Sequence, residues 1–180
     1  NALNAGRIKI GVANSAIGKR AFKLGINYAN ERIQFGEKIA NFGAIKEKIA
    51  TMAARLYGLE SSWNRSAQHI DEVYEELVDQ GQDKLEAKIK SCAEYAMECA
   101  IIKVYGSEVE SYIVDEALQI HGGMGFSGES EISVHYRNVR GNRIYEGTNE
   151  INRILTPTML LRKAMKGELP FMEKTMDLFQ

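Results

Sequence analysis

A single carboxylate, Glu146, is placed for chemistry because it lies directly before a glycine and the start of a predicted helix. Gly147 allows close approach of the backbone to a ligand, and Thr148 is a good residue for capping a helix N-terminus. Apolar residues from Ile151 onward follow at spacings of three and four, which is typical of an amphipathic helix. Glu146 should therefore project from a turn above that helix N-terminus. An ordinary solvated glutamate is the alternative interpretation of these residues alone.

A second motif, Gly123-Met-Gly125-Phe-Ser-Gly128, has the glycine spacing of a dinucleotide-binding fingerprint. That fingerprint requires a preceding strand, whereas Glu116-Ala-Leu-Gln-Ile120 has a helical pattern, so we predict no Rossmann site. Two interpretations stay open. The segment is either a helix C-cap with a flexible turn, or a loop whose N–H groups face a phosphate-bearing ligand.

Three arginines, Arg137, Arg140 and Arg143, recur at every third residue just before Glu146. They could neutralise a pyrophosphate or form a solvated face. The formal net charge of −1 gives no general attraction to nucleic acid, and no nucleic-acid partner is predicted. The three histidines have no paired ligand spacing, so no metal site is predicted.

The composition is that of a soluble helical protein, with 180 residues, 44% hydrophobic residues, 26% charged residues and 2 prolines. Apolar runs are short and broken by charge, so no transmembrane segment is predicted. Cys92 and Cys99 lie seven residues apart on one predicted helix face, where a disulfide is impossible, and we expect reduced thiols in an intracellular protein. The first residues contain no initiator methionine and no charged leader, so we expect an internal boundary there.

Apolar periodicity predicts helices nearly everywhere, and no segment alternates as a strand. The fold class is therefore all-α, an antiparallel up-down four-helix bundle. Its domain spans 1–166, and 167–180 is expected to begin a truncated C-terminal extension. The predicted helices are 3–31, 39–76, 83–121 with a possible interruption at Gly106, a short helix at 129–136, and 148–166.

Four stretches, in matching order and spacing, resemble the C-terminal helical domain of the flavin-dependent acyl-CoA dehydrogenases. A further segment, Asn41-Phe-Gly-Ala-Ile-Lys-Glu-Lys-Ile-Ala50, is most similar to the very-long-chain branch. The four stretches are Gly6-Arg7, Glu31-Arg-Ile-Gln-Phe-Gly36, Leu118-Gln-Ile-His-Gly-Gly-Met-Gly-Phe126 and Arg143-Ile-Tyr-Glu-Gly-Thr-Asn-Glu-Ile-Asn-Arg153.

The resemblance implies that Glu146 is the catalytic base of the full-length parent. In this family the base removes the α-proton of an acyl-CoA thioester while the β-hydrogen leaves as hydride to flavin N5, giving the trans-2-enoyl-CoA of fatty acid β-oxidation. The Glu146 N–H would also help to bind the thioester carbonyl. Arg7, Tyr145 and Gly147 are implied to lie near the substrate.

The resemblance also implies an FAD site shared between subunits. Arg32 and Phe35 match the segment that reaches the FAD of a neighbouring subunit. The positions that match the pyrophosphate-facing loop are Gln119, Gly122 and Gly123, and those near the flavin are Thr148 and Glu150.

Implied partners are an acyl-CoA substrate, an electron-transfer flavoprotein as acceptor, and further copies in a homo-oligomer, a dimer or tetramer formed through the helical domain. The implied location is the bacterial cytoplasm or the mitochondrial matrix. Family members have two preceding domains that enclose the flavin, so we expect the isolated chain to lack FAD and activity. The alternative function is a stand-alone helical oligomerisation or interaction module without flavin chemistry.

Overall fold

The computed structural model describes residues 2–168, and helices dominate them. The all-α prediction is confirmed. The long helices are α1 (Ala2–Glu31), α2 (Gly43–Asp79), α3 (Lys84–Glu94), α4 (Ala96–His121) and α7 (Asn149–Met165), and the short ones are α5 (Gly123–Phe126) and α6 (Glu131–Asn138). Two 3₁₀ turns, Ile39–Asn41 and Val139–Arg143, precede α2 and follow α6.

Helix α4 is the centre of the bundle, since it packs against α1, α2 and α7. Its most extensive partner is α1, and glycines let the two backbones approach closely. A Cβ placed on Gly106 would lie 3.2 Å from the Gly11 Cα. The predicted interruption at Gly106 is therefore wrong: this glycine lies inside α4 and serves helix packing. The break falls instead at Tyr95, between α3 and α4, where the backbone leaves the helical region (φ −97°, ψ 30°).

The hydrophobic core lies between α1, α2 and α4. Alanines on α1 face larger side chains on the other two helices, which suits the close approach of α1 to α4. Its fully buried members include Ala21 and Ala29 on α1, Met52 and Leu59 on α2, and Ile113, Val114 and Ala117 on α4.

A two-stranded antiparallel hairpin follows α1, although no strand was predicted. Strands β1 (Ile33–Gln34) and β2 (Glu37–Lys38) pair Ile33 with Lys38. Both turn residues, Phe35 (φ 56°) and Gly36 (φ 83°), are left-handed, as tight hairpin turns require. Strands of two residues are too short to show an alternating pattern, which is why periodicity could not detect them.

Helix α7 begins one residue later than predicted and ends at Met165. Of the predicted extension at 167–180, only residues 167 and 168 belong to the described part of the chain. Among the described helices, none is long and apolar enough to cross a membrane.

Candidate active site

The turn before α7 places Glu146 in an uncommon backbone conformation. Glu146 (φ 55°) and Gly147 (φ 87°) are both left-handed. This region costs a residue with a side chain roughly 1–2 kcal/mol, whereas glycine adopts it freely. Thr148 caps α7 as predicted, because its hydroxyl accepts a hydrogen bond from the Ile151 N–H at 3.4 Å. The surrounding structure must therefore hold Glu146 in place.

Donors from three helices hold the backbone carbonyls of this turn. Arg7 on α1 donates from Nε to the Glu146 carbonyl at 3.3 Å. Lys103 on α4 donates to the Gly147 carbonyl at 2.8 Å. Asn152 on α7 donates from Nδ2 to the Gly147 carbonyl at 2.9 Å, to the Thr148 carbonyl at 3.0 Å and to the Glu146 carbonyl at 3.5 Å. The carbonyls of three successive residues thus point into the bundle.

Asn149 joins Lys103 to the rest of α4. Its Oδ1 accepts from Lys103 Nζ at 2.8 Å, and its Nδ2 donates to the Ser107 hydroxyl at 3.0 Å. Arg7 is fixed in turn by Asn4, whose Oδ1 accepts from Nη1 at 3.3 Å. We call Arg7, Lys103, Asn149 and Asn152 the turn cluster; all four are buried.

Burial lowers the pKa of Lys103 from its ordinary value, and the neighbouring Arg7 acts in the same direction. The carboxylates of Glu150 and Glu146 oppose this shift by favouring the charged ammonium. The charges near Lys103 are therefore those of one cation, Arg7, and two anions, Glu146 and Glu150.

The Glu146 carboxylate rests against Gly6 on α1. A methyl group at Gly6 would lie 2.5 Å from Oε1, so the carboxylate occupies the space that the absent side chain of Gly6 leaves. The other oxygen, Oε2, is buried and accepts no hydrogen bond from the described residues. A buried carboxylate oxygen without a donor is unusual and is available to take a proton.

The Glu146 backbone N–H is free as well. No described residue accepts a hydrogen bond from it. A free N–H and a free carboxylate oxygen thus belong to the same residue, which gives a hydrogen-bond donor and a base within one turn.

Of the residues expected near a substrate, the structure places Gly147 in the turn itself and Arg7 beneath it. Tyr145 is 61% exposed, and its hydroxyl lies against Gly141, where an added methyl group would come within 2.6 Å. The three residues are therefore neighbours of Glu146, but Arg7 contacts the turn from the buried side.

A separate cleft of about 470 Å³ brings together Arg32, Gly122 and Gly123. Tyr28 and His121, whose rings stack with centroids 4.4 Å apart, also line it. These predicted cofactor residues meet although they lie about ninety positions apart in the chain.

Two other predicted cofactor residues lie beside this cleft and do not line it. Phe35 sits at the tip of the hairpin, is 95% exposed, and contacts Phe42 edge to face with ring centroids 6.2 Å apart. Gln119 is exposed near the C-terminal end of α4, and its carbonyl accepts from the Gly122 N–H at 3.0 Å.

Thr148 and Glu150 line a different hollow of about 200 Å³, together with Arg140 and Arg143. Hydrogen bonds from its own backbone N–H and from Thr148 hold the pKa of Glu150 below its ordinary value. The third arginine, Arg137, donates to the Ser133 hydroxyl at 3.1 Å and does not line this hollow, but it lines a neighbouring cleft with Arg140 and Arg143. The predicted cofactor residues thus form two groups, one at each of these cavities.

Sequence reasoning missed Lys103, Asn149 and Asn152. One signal was present, because Lys103 is the only charged residue between Cys99 and Gly106 in an otherwise apolar stretch. A charge at a core position of a helix calls for a partner.

The described residues contain no group of histidine, cysteine and carboxylate side chains that could hold a metal ion. Cys92 and Cys99 are free, but they lie on α3 and α4 and not on one helix face. Burial raises the pKa of the Cys99 thiol to about 12.

Known proteins resemble this chain over nearly its whole length. A family profile described as the C-terminal domain of acyl-CoA dehydrogenase matches residues 1–158. A Bacillus subtilis protein named a probable acyl-CoA dehydrogenase is 48% identical over 178 residues, covering 99% of this chain and 30% of the relative. The mitochondrial very long-chain specific acyl-CoA dehydrogenase of Macaca fascicularis is 38% identical over 152 residues, covering 84% of this chain and 20% of the relative.

Among solved structures, the acyl-CoA dehydrogenase of Bacillus anthracis complexed with FAD superposes with a TM-score of 0.94 at 49% identity, covering 98% of this chain and 30% of that one. This chain therefore spans about a third of the length of such relatives or less. The predicted resemblance is confirmed: the chain belongs to the acyl-CoA dehydrogenase family and corresponds to its C-terminal helical domain.

Proposed function

We propose that this chain is the base-bearing domain of an FAD-dependent acyl-CoA dehydrogenase, with Glu146 as the catalytic base. The observation that carries the proposal is the pairing within Glu146 of an unpartnered, buried Oε2 and an unengaged backbone N–H. These are the two groups that removal of a proton next to a thioester carbonyl requires.

In the proposed reaction, the thioester carbonyl of an acyl-CoA accepts a hydrogen bond from the Glu146 N–H. Negative charge develops on that oxygen as the α-proton moves to the Glu146 carboxylate, and the N–H stabilises it. The turn cluster fixes donor and base in one geometry, because Arg7, Lys103 and Asn152 hold the carbonyls on the opposite side of the same backbone. When bound, FAD accepts the β-hydrogen with its electron pair.

The residues present fit an FAD. Arg32 can pair with a phosphate, while Gly122 and Gly123 leave their side of the cleft open, since an added methyl group would meet no atom within 4 Å at either position. Phe35 and Gln119 flank the same cleft. Thr148 and Glu150 are the residues proposed nearest to the flavin.

The proposed assembly is a homo-oligomer, a dimer or tetramer, formed through this helical domain. Exposed apolar side chains on α7 support it, since Ile151, Ile154, Leu161 and Met165 are 57–88% exposed and recur at spacings of three, seven and four. Their contact with a second copy would remove this surface from water. We propose an electron-transfer flavoprotein as acceptor, and the bacterial cytoplasm or mitochondrial matrix as the location.

Residues 1–166 are proposed to form the domain and 167–180 to begin a C-terminal extension. The isolated 180-residue chain is proposed to bind no FAD and to show no turnover, because cofactor and acyl chain need walls from other domains. The competing function is an interaction module without flavin chemistry, and the same exposed apolar face of α7 supports it. A flavin absorption spectrum of the full-length protein separates the two functions.

The decisive experiment replaces the base in the full-length protein that contains this chain. Glu146→Gln keeps the shape of the side chain but removes its basicity, so flavin bleaching by acyl-CoA should slow by about 10²- to 10⁴-fold while FAD content stays unchanged. Glu75→Gln, an exposed carboxylate on α2, is the matched control and should bleach at the wild-type rate. Rapid bleaching in Glu146→Gln would exclude this residue as the base.

A further inference from the structure

Lys103 is an unusual residue for the interior of a helical bundle. It is 0% exposed and is the largest fully buried side chain among the described residues. Burying an ammonium group is unfavourable unless its donors find acceptors, and paired carboxylates are the usual partners. No carboxylate lies within ion-pair distance of Lys103 in the described part of the chain. Its acceptors are the Gly147 carbonyl and Asn149 Oδ1.

The Gly147 carbonyl is the point at which the turn could change conformation. Two successive left-handed residues, the second a glycine, leave the following peptide group free to rotate if nothing holds it. Lys103 Nζ and Asn152 Nδ2 both donate to this carbonyl, at 2.8 and 2.9 Å. They approach it from α4 and α7, so rotation of the peptide would break two hydrogen bonds at once.

The ammonium group is also the stronger of the two donors. Hydrogen bonds from a charged donor are roughly twice as strong as neutral ones, and more so away from water. A fully apolar residue of similar length would fill the same space without the desolvation cost. Lys103 therefore stabilises the conformation of the turn but lowers the stability of the core.

Resting on the proposed function of Glu146, we propose that Lys103 is a positioning residue that locks the Gly147 peptide and thereby aims the Glu146 carboxylate and N–H at the substrate. Lys103 itself contacts neither substrate nor cofactor. Its contribution reaches the reaction through the backbone of one turn.

The experiment compares Lys103→Met with wild type in the full-length, FAD-loaded protein. Methionine is close in length and apolar, so it removes the donor and fills the space. The limiting rate of flavin bleaching at saturating acyl-CoA should fall by about 10²-fold, the loss that a small misplacement of a reacting group produces. The acyl-CoA dissociation constant and the FAD content should change by less than about threefold, because the substrate and cofactor surfaces are untouched.

A second measurement does not depend on turnover. Amide hydrogen exchange of the peptide that contains residues 144–149 should become faster in Lys103→Met, because the turn is no longer held from α4. Val109→Ala is the matched control: it removes buried volume from the core side of the same helix without removing a donor to the turn. It should lower stability and leave both the bleaching rate and exchange in this peptide unchanged.

The outcomes separate the two proposals. If wild type itself is not bleached by acyl-CoA, the proposed function fails. If wild type is bleached and Lys103→Met reacts at the same limiting rate with unchanged exchange in residues 144–149, the proposed function stands and the role of Lys103 is refuted. Should Lys103→Met not fold, Lys103→Leu, which is also apolar and carries no donor, gives the same comparison.

Discussion

A lysine and a glutamate are both fully buried on α4, and their surroundings differ sharply. Lys103 and Glu110 are both 0% exposed and are separated by seven residues, about 10 Å along the helix axis. Lys103 has acceptors fixed by the turn before α7. Glu110 accepts from Asn142 Nδ2 at 2.8 Å through one oxygen, while its other oxygen has no partner among the described residues.

The difference lies in how each group avoids its burial cost. Burial raises the pKa of Glu110 to about 7, so this side chain can neutralise itself by taking up a proton near physiological pH. Lys103 instead binds peptide and amide oxygens, and its charge strengthens those bonds. We infer that the Glu110 cluster, formed with Asn14 and Asn142, affects stability, whereas the turn cluster serves geometry.

If the turn cluster serves geometry, the largest effect on the reaction is expected where the Glu146 carboxylate is displaced, which is at Gly6. Gly6→Ala places a methyl group 2.5 Å from Glu146 Oε1, so the carboxylate must move. Proton abstraction in the full-length protein should slow by about 10²-fold, the loss that a small misplacement of a reacting group produces. Stability should not fall, since alanine favours a helix over glycine by about 1 kcal/mol. Stopped-flow bleaching and a thermal melt measure the two quantities.

Gly18→Ala on the same helix is the control, because its methyl group would meet only side chains at 3.4 Å. It should react normally. If Gly6→Ala is bleached at the wild-type rate, the position of the Glu146 carboxylate against α1 is not needed for proton abstraction.

The second effect concerns the pH dependence of stability at Glu110. The pKa is raised to about 7 in the folded chain from an ordinary value of 4.5, so the folded state binds more protons between these values. The contribution of Glu110 to the free energy of unfolding should therefore be highest below pH 4.5 and decline as the pH rises to about 7, with a total loss of about 3 kcal/mol. Glu110→Gln removes this titration.

Urea unfolding of the 180-residue chain at several pH values, compared between wild type and Glu110→Gln, isolates this contribution because the other titrating groups cancel. Glu75→Gln is the exposed control. If the difference between wild type and Glu110→Gln is the same at pH 5 and pH 8, the comparison with Lys103 fails.

The smallest effect is expected from the helix cap. Thr148→Ala removes the side-chain acceptor of the Ile151 N–H and should lower the free energy of unfolding by about 1 kcal/mol. Thr158→Ala, on the same helix, loses only a hydroxyl that donates to the Ile154 carbonyl, and should change stability less. Urea unfolding of both variants measures the two losses, and equal losses would show that the cap stabilises the chain no more than the Thr158 hydroxyl does.

Local chemistry predicted the parts of the site that depend on neighbours in the chain. The Thr148 cap and the glycine after Glu146 follow from residue type and spacing, and the long helices follow from apolar periodicity. The cleft between Arg32 and Gly122 could be predicted only from the resemblance to the family, because its two sides come from elements that are distant in the sequence.

Long-range packing accounts for what could not be predicted. Arg7 reaches the Glu146 carbonyl across 139 residues of sequence, and Lys103 reaches the Gly147 carbonyl across 44. The residues around Arg7 and around Lys103 give no indication of which backbone carbonyl each side chain will contact. Gly106 shows the same limit, since glycine is a helix breaker by propensity and here permits the contact of two helices.

The contact between Gly106 and Gly11 also affects the turn that carries Glu146. Arg7 lies one turn before Gly11 on α1, and Lys103 lies one turn before Gly106 on α4. The close approach that these two glycines allow therefore sets the distance between Arg7 and Lys103, which donate to the adjacent carbonyls of Glu146 and Gly147. A bulkier residue at either glycine would push α1 and α4 apart and so move the two donors away from the turn that they hold. Residues with no group near Glu146 can therefore alter the position of its backbone.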